Sequence, residues 1–163
     1  MSLSQDWEKS ILQHIFKRGG INGNTGTGGL PVSPNTIYFS LHSADPTDVH
    51  TTAQGNELSG LNYSRASLST DANTSTHTFW NALDEPATAQ RITNKQAISF
   101  LGASGNWNGG NPIGFFGMWT VAASGAAVEY LGSGVISPSV TILNGNTFSW
   151  QGGTPGNLVI TVG

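Results

Sequence analysis

The chain contains no cysteine. A disulfide framework and a thiolate metal site are therefore excluded. Charge is the next scarcity. Only 9% of the 163 residues are Asp, Glu, Lys or Arg, against about 25% in an ordinary soluble domain. Six of them are basic and the net charge is −3. The one adjacent basic pair is Lys17-Arg18, so the basic stripe of a nucleic-acid binder is missing and no nucleic-acid partner is expected. No apolar run reaches the roughly 18 residues of a membrane-spanning helix. Asp6 and Glu8 interrupt the first apolar positions, which does not suit a signal peptide. No membrane insertion is expected, and assembly is expected in the cytoplasm of the producing cell. Beyond Lys95 the single charged side chain is Glu129. Mixed charges normally oppose association at a free surface, so this half of the chain is expected to be covered in part by other subunits.

Catalytic patterns are equally scarce. There is no G-x-S-x-G elbow and no H-E-x-x-H pair. Gly26-Thr27-Gly28-Gly29 lacks the Lys-Ser/Thr of a phosphate loop. Asp84 and Glu85 are adjacent and precede Pro86, a turn rather than two acids facing across a groove. No catalytic residue, cofactor or metal is expected.

Glycine, serine, threonine and asparagine are abundant, a composition suited to many short strands joined by turns. The one convincing helix runs from Ser2 to Arg18. Leu3, Trp7, Ile11, Leu12, Ile15 and Phe16 recur at spacings of three and four and form one apolar stripe. Ser2 with Gln5 can make a capping box, and Ser4 is an alternative cap. Asp6 and Glu8 suit the positive end of the helix dipole, Lys17 and Arg18 the negative end. Gly19-Gly20 ends the helix. Gly19 to Pro34 then keeps no periodicity and reads as a linker or long surface loop.

The segment from Thr36 to Leu68 organises the rest. Ile37, Phe39 and Leu41 alternate with Tyr38, Ser40 and His42, predicting a half-buried strand. Pro46 stops it and restrains Asp45 to an extended conformation. A polar loop follows, Ser59-Gly60-Leu61-Asn62 turns the chain, and Tyr63 to Leu68 starts a second strand. Further strands are expected at His77–Trp80, Ala97–Phe100, Ile113–Val121, Val128–Leu131, Val135-Ile136, Val140–Leu143, Thr147–Trp150 and Leu158–Val162. The two glycines of Ile113–Val121 mark a bulge or a close backbone approach, and Asn144-Gly145 signals a hairpin turn. Roughly eight to ten strands at spacings of about 10 residues predict a mostly β fold, an antiparallel β-sandwich or jelly roll with an N-terminal amphipathic α-helix. The expected division is a helical arm over 1–20, a Gly-rich linker over 21–35 and a β-sandwich domain over 36–163.

The string formed by Leu41, Ala44, Asp45, Pro46, Asn56, Glu57, Leu58, Ser59, Gly60, Tyr63 and Arg65 resembles the opening motif of a family of small bacteriophage virion proteins, often labelled tail-fibre or minor structural proteins. The chain departs from that pattern at Ser43, Leu61, Asn62 and Ser64. The resemblance extends to the M-S-L-S opening with its helix and to the A-I-S-F…G-N-W segment near Ala97, and so spans most of the chain. It implies a structural role in a virion and brings no catalytic residues.

Candidate sites follow from the residues. Asp45, Pro46, Glu57 and Arg65 are expected to organise the motif loop, with Glu57 and Arg65 paired across its base. As an exposed pair they would contribute only about 0–1 kcal/mol. Asp45, Asp48, His42 and His50 have the oxygen and imidazole chemistry of a divalent-cation site, but Asp before Pro more commonly fixes a turn. The stripe of Trp7, Ile11, Leu12, Ile15 and Phe16 is the candidate docking face, packed either on its own domain or on a neighbouring subunit. Trp107, among Asn and Gly, is a candidate glycan platform, interface contact or buried anchor. The expected function is a non-enzymatic tail, baseplate or fibre component that self-associates, by analogy as a trimer, and docks on other virion proteins. A capsid decoration protein and a host-glycan receptor module are the alternatives.

Overall fold

The computed structural model describes residues 4–17, 34–46, 56–85, 89–120, 122, 130–154 and 156–162. Several of the sequence expectations lie outside these residues: Ser2 and Leu3 of the helix start, the linker up to residue 33, Asp48 and His50, Pro86, Val121 and Val128-Glu129. Among the described residues one α-helix, α1 (Gln5–Lys17), precedes eight strands, with a short 3-10 turn at Trp107–Gly110 between the fourth and fifth: β1 (Thr36–His42), β2 (Ala66–Ser69), β3 (Gln90–Thr93), β4 (Ile98–Ser99), β5 (Ile113–Trp119), β6 (Tyr130–Val140), β7 (Ser149–Trp150) and β8 (Val159–Val162). They form an open four-stranded sheet in the order β2-β1-β5-β6 and two pairs, β3-β8 and β4-β7. The β1–β5, β5–β6 and β3–β8 pairings are antiparallel. The fold class is the expected one: mostly β, antiparallel, with an N-terminal helix and open sheets of the kind found in sandwiches.

Contacts divide the chain into two compact units. The first comprises Met1–Asn35, Leu68–Ile98 and Trp150–Gly163, the second Thr36–Ser67 and Ser99–Ser149. One break falls after Asn35, at the expected start of the β domain, but none falls at 20, and Leu68–Ile98 and Trp150–Gly163 join the N-terminal segment, because α1 packs on β3 and β8.

In the first unit, the carbonyl of Ser4 accepts the N–H groups of Trp7 and Glu8 at 2.9 and 3.0 Å, and Asp6 and Glu8 lie in the first turn. Leu12 and Phe16 are buried, and the Phe16 ring lies 4.5 Å from that of Trp80. Next to them sits Lys17, which the sequence marks only as a dipole-compensating charge. Its ammonium is fully buried and donates to Asp71 Oδ2 at 2.5 Å, to Trp80 O at 2.8 Å and to Thr76 O at 3.0 Å, with His77 Nδ1 at 2.9 Å. Asp71, also fully buried, accepts the N–H groups of Thr78, Phe79 and Trp80 at 2.8, 2.9 and 3.2 Å. Its own N–H goes to Phe16 O at 3.0 Å, satisfying a carbonyl of the last helical turn. The segment His77–Trp80, expected as a strand, is instead a loop with a single bridge from Trp80 to Asn94. Its backbone N–H groups are turned onto a carboxylate rather than a neighbouring strand.

Asn94 closes the other side of this unit. Its amide donates to Gln96 O at 2.9 Å and Gln151 O at 3.1 Å and accepts from Leu158 N–H at 2.9 Å. The backbone at Gly156 approaches so closely that a Cβ there would lie 1.7 Å from Asn94 O.

In the second unit, β1 is buried from Phe39 to His42 rather than on alternate residues, because Ser40 and His42 have polar partners of their own. β6 continues to Val140, where two shorter strands around Pro138 were expected. Its pairing with β5 is irregular there: Phe115 faces Val135 while Ile113 faces Val140. The extra residues leave the ladder as a bulge on the edge strand of the sheet, where proline is tolerated. The Asn144-Gly145 turn is present, with Gly145 at φ 83° and Asn146 N–H donating to Leu143 O at 3.0 Å.

Burial alone would push the Asp71 carboxyl up, but the Lys17 hydrogen bond and the Phe79 and Thr78 N–H groups outweigh it and hold it below the ordinary carboxylate value. A depressed carboxylate stabilises the fold fully above its unfolded value, about 3.9, and that contribution is lost as the pH falls through the folded value. The thermal midpoint is therefore expected to hold down to about pH 5 and to drop below about pH 4. Asp71→Asn should flatten this acid limb and cost about 3–5 kcal/mol at neutral pH, as expected when a buried charge loses its partner. Thermal unfolding followed by circular dichroism over a pH series measures the first, and urea unfolding at neutral pH measures the cost of Asp71→Asn.

Candidate functional site

The motif loop is fastened at its base. Leu58 N–H donates to Leu41 O and Ser43 N–H to Asn56 O, each at 3.0 Å. Glu57 lies opposite His42 as an antiparallel bridge. From that position its carboxylate meets Arg65 in two bonds, Nε to Oε1 at 2.8 Å and Nη2 to Oε2 at 2.6 Å. The pairing is the expected one, but its setting is not exposed: the side chains are 2% (Arg65) and 10% (Glu57) accessible. Trp119 accounts for the difference, since the Arg65 guanidinium lies 4.5 Å from the centre of its ring, a cation–π contact in a desolvated site.

Trp119 also reaches the opposite way. Its Nε1–H donates to Ser40 Oγ at 2.6 Å, and Ser40 Oγ lies 2.6 Å from His42 Nε2. This close approach requires Gly117. A Cβ there would sit 2.8 Å from Ser40 Oγ and 3.0 Å from Trp119 Nε1. The glycine in the most apolar run thus marks a close backbone approach, as its context predicts. Tyr63 completes the cluster. Its hydroxyl accepts Leu41 N–H at 2.8 Å and donates to Glu57 Oε1 at 3.3 Å. Burial, reinforced by the Glu57 carboxylate, pushes that hydroxyl far above the ordinary tyrosine value, so it stays protonated as a donor.

A serine beside a histidine and a carboxylate paired with an arginine are familiar catalytic parts, but here they lie buried in the fold. Ser40 and His42 are 0% exposed, and the Ser40 hydroxyl already accepts the Trp119 proton. Asp45 is exposed and Pro46 half-buried just beyond the loop base, while Asp48 and His50 lie outside the described residues. Among the described residues no three His, Asp or Glu side chains gather as metal ligands, and no helix is long and apolar enough to cross a membrane.

Trp107 requires a correction. It is only 1% exposed and offers no face to a sugar. Its Nε1–H donates to Leu61 O at 2.9 Å, and its ring meets Tyr63 edge-on at 5.3 Å and Phe100 at 6.4 Å. It is the buried anchor beneath the loops around it. Gly60, Leu61 and Asn62 all take positive φ, at 69°, 52° and 65°. The Leu61-Asn62 departure from the resembled motif therefore keeps a turn that glycine would form more easily.

Of the helix stripe, Leu12 and Phe16 are consumed by the first unit's own core, Ile11 and Ile15 are half-buried, and Trp7 is exposed. Sequence reasoning missed Lys17–Asp71, the Ser40–His42–Trp119 chain, Tyr63 as a partner of Glu57, and the Asn94 clasp. One signal existed for the second of these. Ser40 and His42 are two apart on a strand and so share a face.

The described polar clusters, Arg65 with Glu57 and Ser40 with His42 and Trp119, fasten segments of a β scaffold. The chain belongs to the family described as podophage GP4 fiber I protein gp80, whose family model matches residues 2–156. No curated protein and no solved structure matches it.

Arg65→Met is expected to cost about 3–5 kcal/mol, because Glu57 loses its partner in a desolvated site. Trp107→Ala is expected to cost about 3–5 kcal/mol through the cavity it leaves. Chemical denaturation of each variant, followed by near-ultraviolet circular dichroism, checks both values.

Proposed function

We propose that this protein is a structural, non-enzymatic part of a podophage tail fibre, and that it works by associating with copies of itself and docking on neighbouring virion proteins. The family match over nearly the whole chain carries this reading. Two features support it. Hydrogen bonds around Trp107 join the loops at 60–62, 100–111 and 141–147, and such preorganisation lowers the entropy cost of docking. The charge-poor stretch after Lys95 provides little electrostatic opposition to close contact between subunits. On α1, the exposed Trp7 and the half-buried Ile11 and Ile15 are the part of the stripe left for a neighbour.

Immunogold labelling of intact particles is expected to place the protein on the tail fibres, and particles made without it are expected to lack fibre density. Label spread over the head faces would instead make it a capsid decoration protein.

A further inference from the structure

We draw no further inference here: the strongest candidate, the side chains of Glu8 and Gln90 where α1 packs on β3, each with a buried oxygen that finds no hydrogen-bond donor among the described residues, carries nothing because the structure does not show the two oxygens meeting at one place or what ligand would satisfy them.

Discussion

The buried pair of Lys17 and Asp71 is the constraint on which the first unit depends. Neither charge is tolerable alone in an apolar setting, and each is satisfied by more than the other. Lys17 takes two carbonyls besides Asp71, and Asp71 takes three N–H groups besides Lys17. The pair therefore does two things at once. It ties the last turn of α1 to the loop at residues 71–80, and it gives that loop's backbone a partner in place of a β-ladder. Phe16 against Trp80 fills the apolar space beside it. Such a pair adds little net stability over a well-packed apolar substitute. What it specifies is which helix end meets which loop.

The second unit uses the same device with different parts. Arg65 and Glu57 form a nearly inaccessible bidentate pair, and Trp119 covers the cation. The chain has six basic and nine acidic residues, and two of each go into these two buried pairs. A protein so poor in charge gives these four residues to specifying its interior. The other ion pairs among the described residues, Lys9 with Glu85 and Arg91 with Asp84, are well exposed and contribute little.

This pattern also explains what was legible in the sequence and what was not. The fold class was legible because turn residues and apolar alternation act locally: β5 at Ile113–Trp119 and the Asn144-Gly145 turn are nearly where periodicity puts them. The Glu57–Arg65 pair was legible because eight residues and a turn separate its members. Lys17–Asp71 was not, since its members are 54 positions apart and each has a sufficient local explanation. Trp107 misled for a related reason. Its Asn and Gly neighbours are exposed loop residues, but those loops need an anchor beneath them, and the largest side chain available fills that place.

Among the described residues the perturbed titratable groups are Lys17, Tyr63 and Asp71, and each is perturbed by burial and by a partner that also fixes a loop. Their energy goes into holding chain segments in place. The surface pattern is the converse. Where the second unit is most firmly braced, around Trp107, its loops expose leucine and amide rather than charge or catalytic groups. The family match sets the chain among fibre proteins, and the described residues show how its interior is specified: Lys17 with Asp71 and Arg65 with Glu57 decide which segments meet.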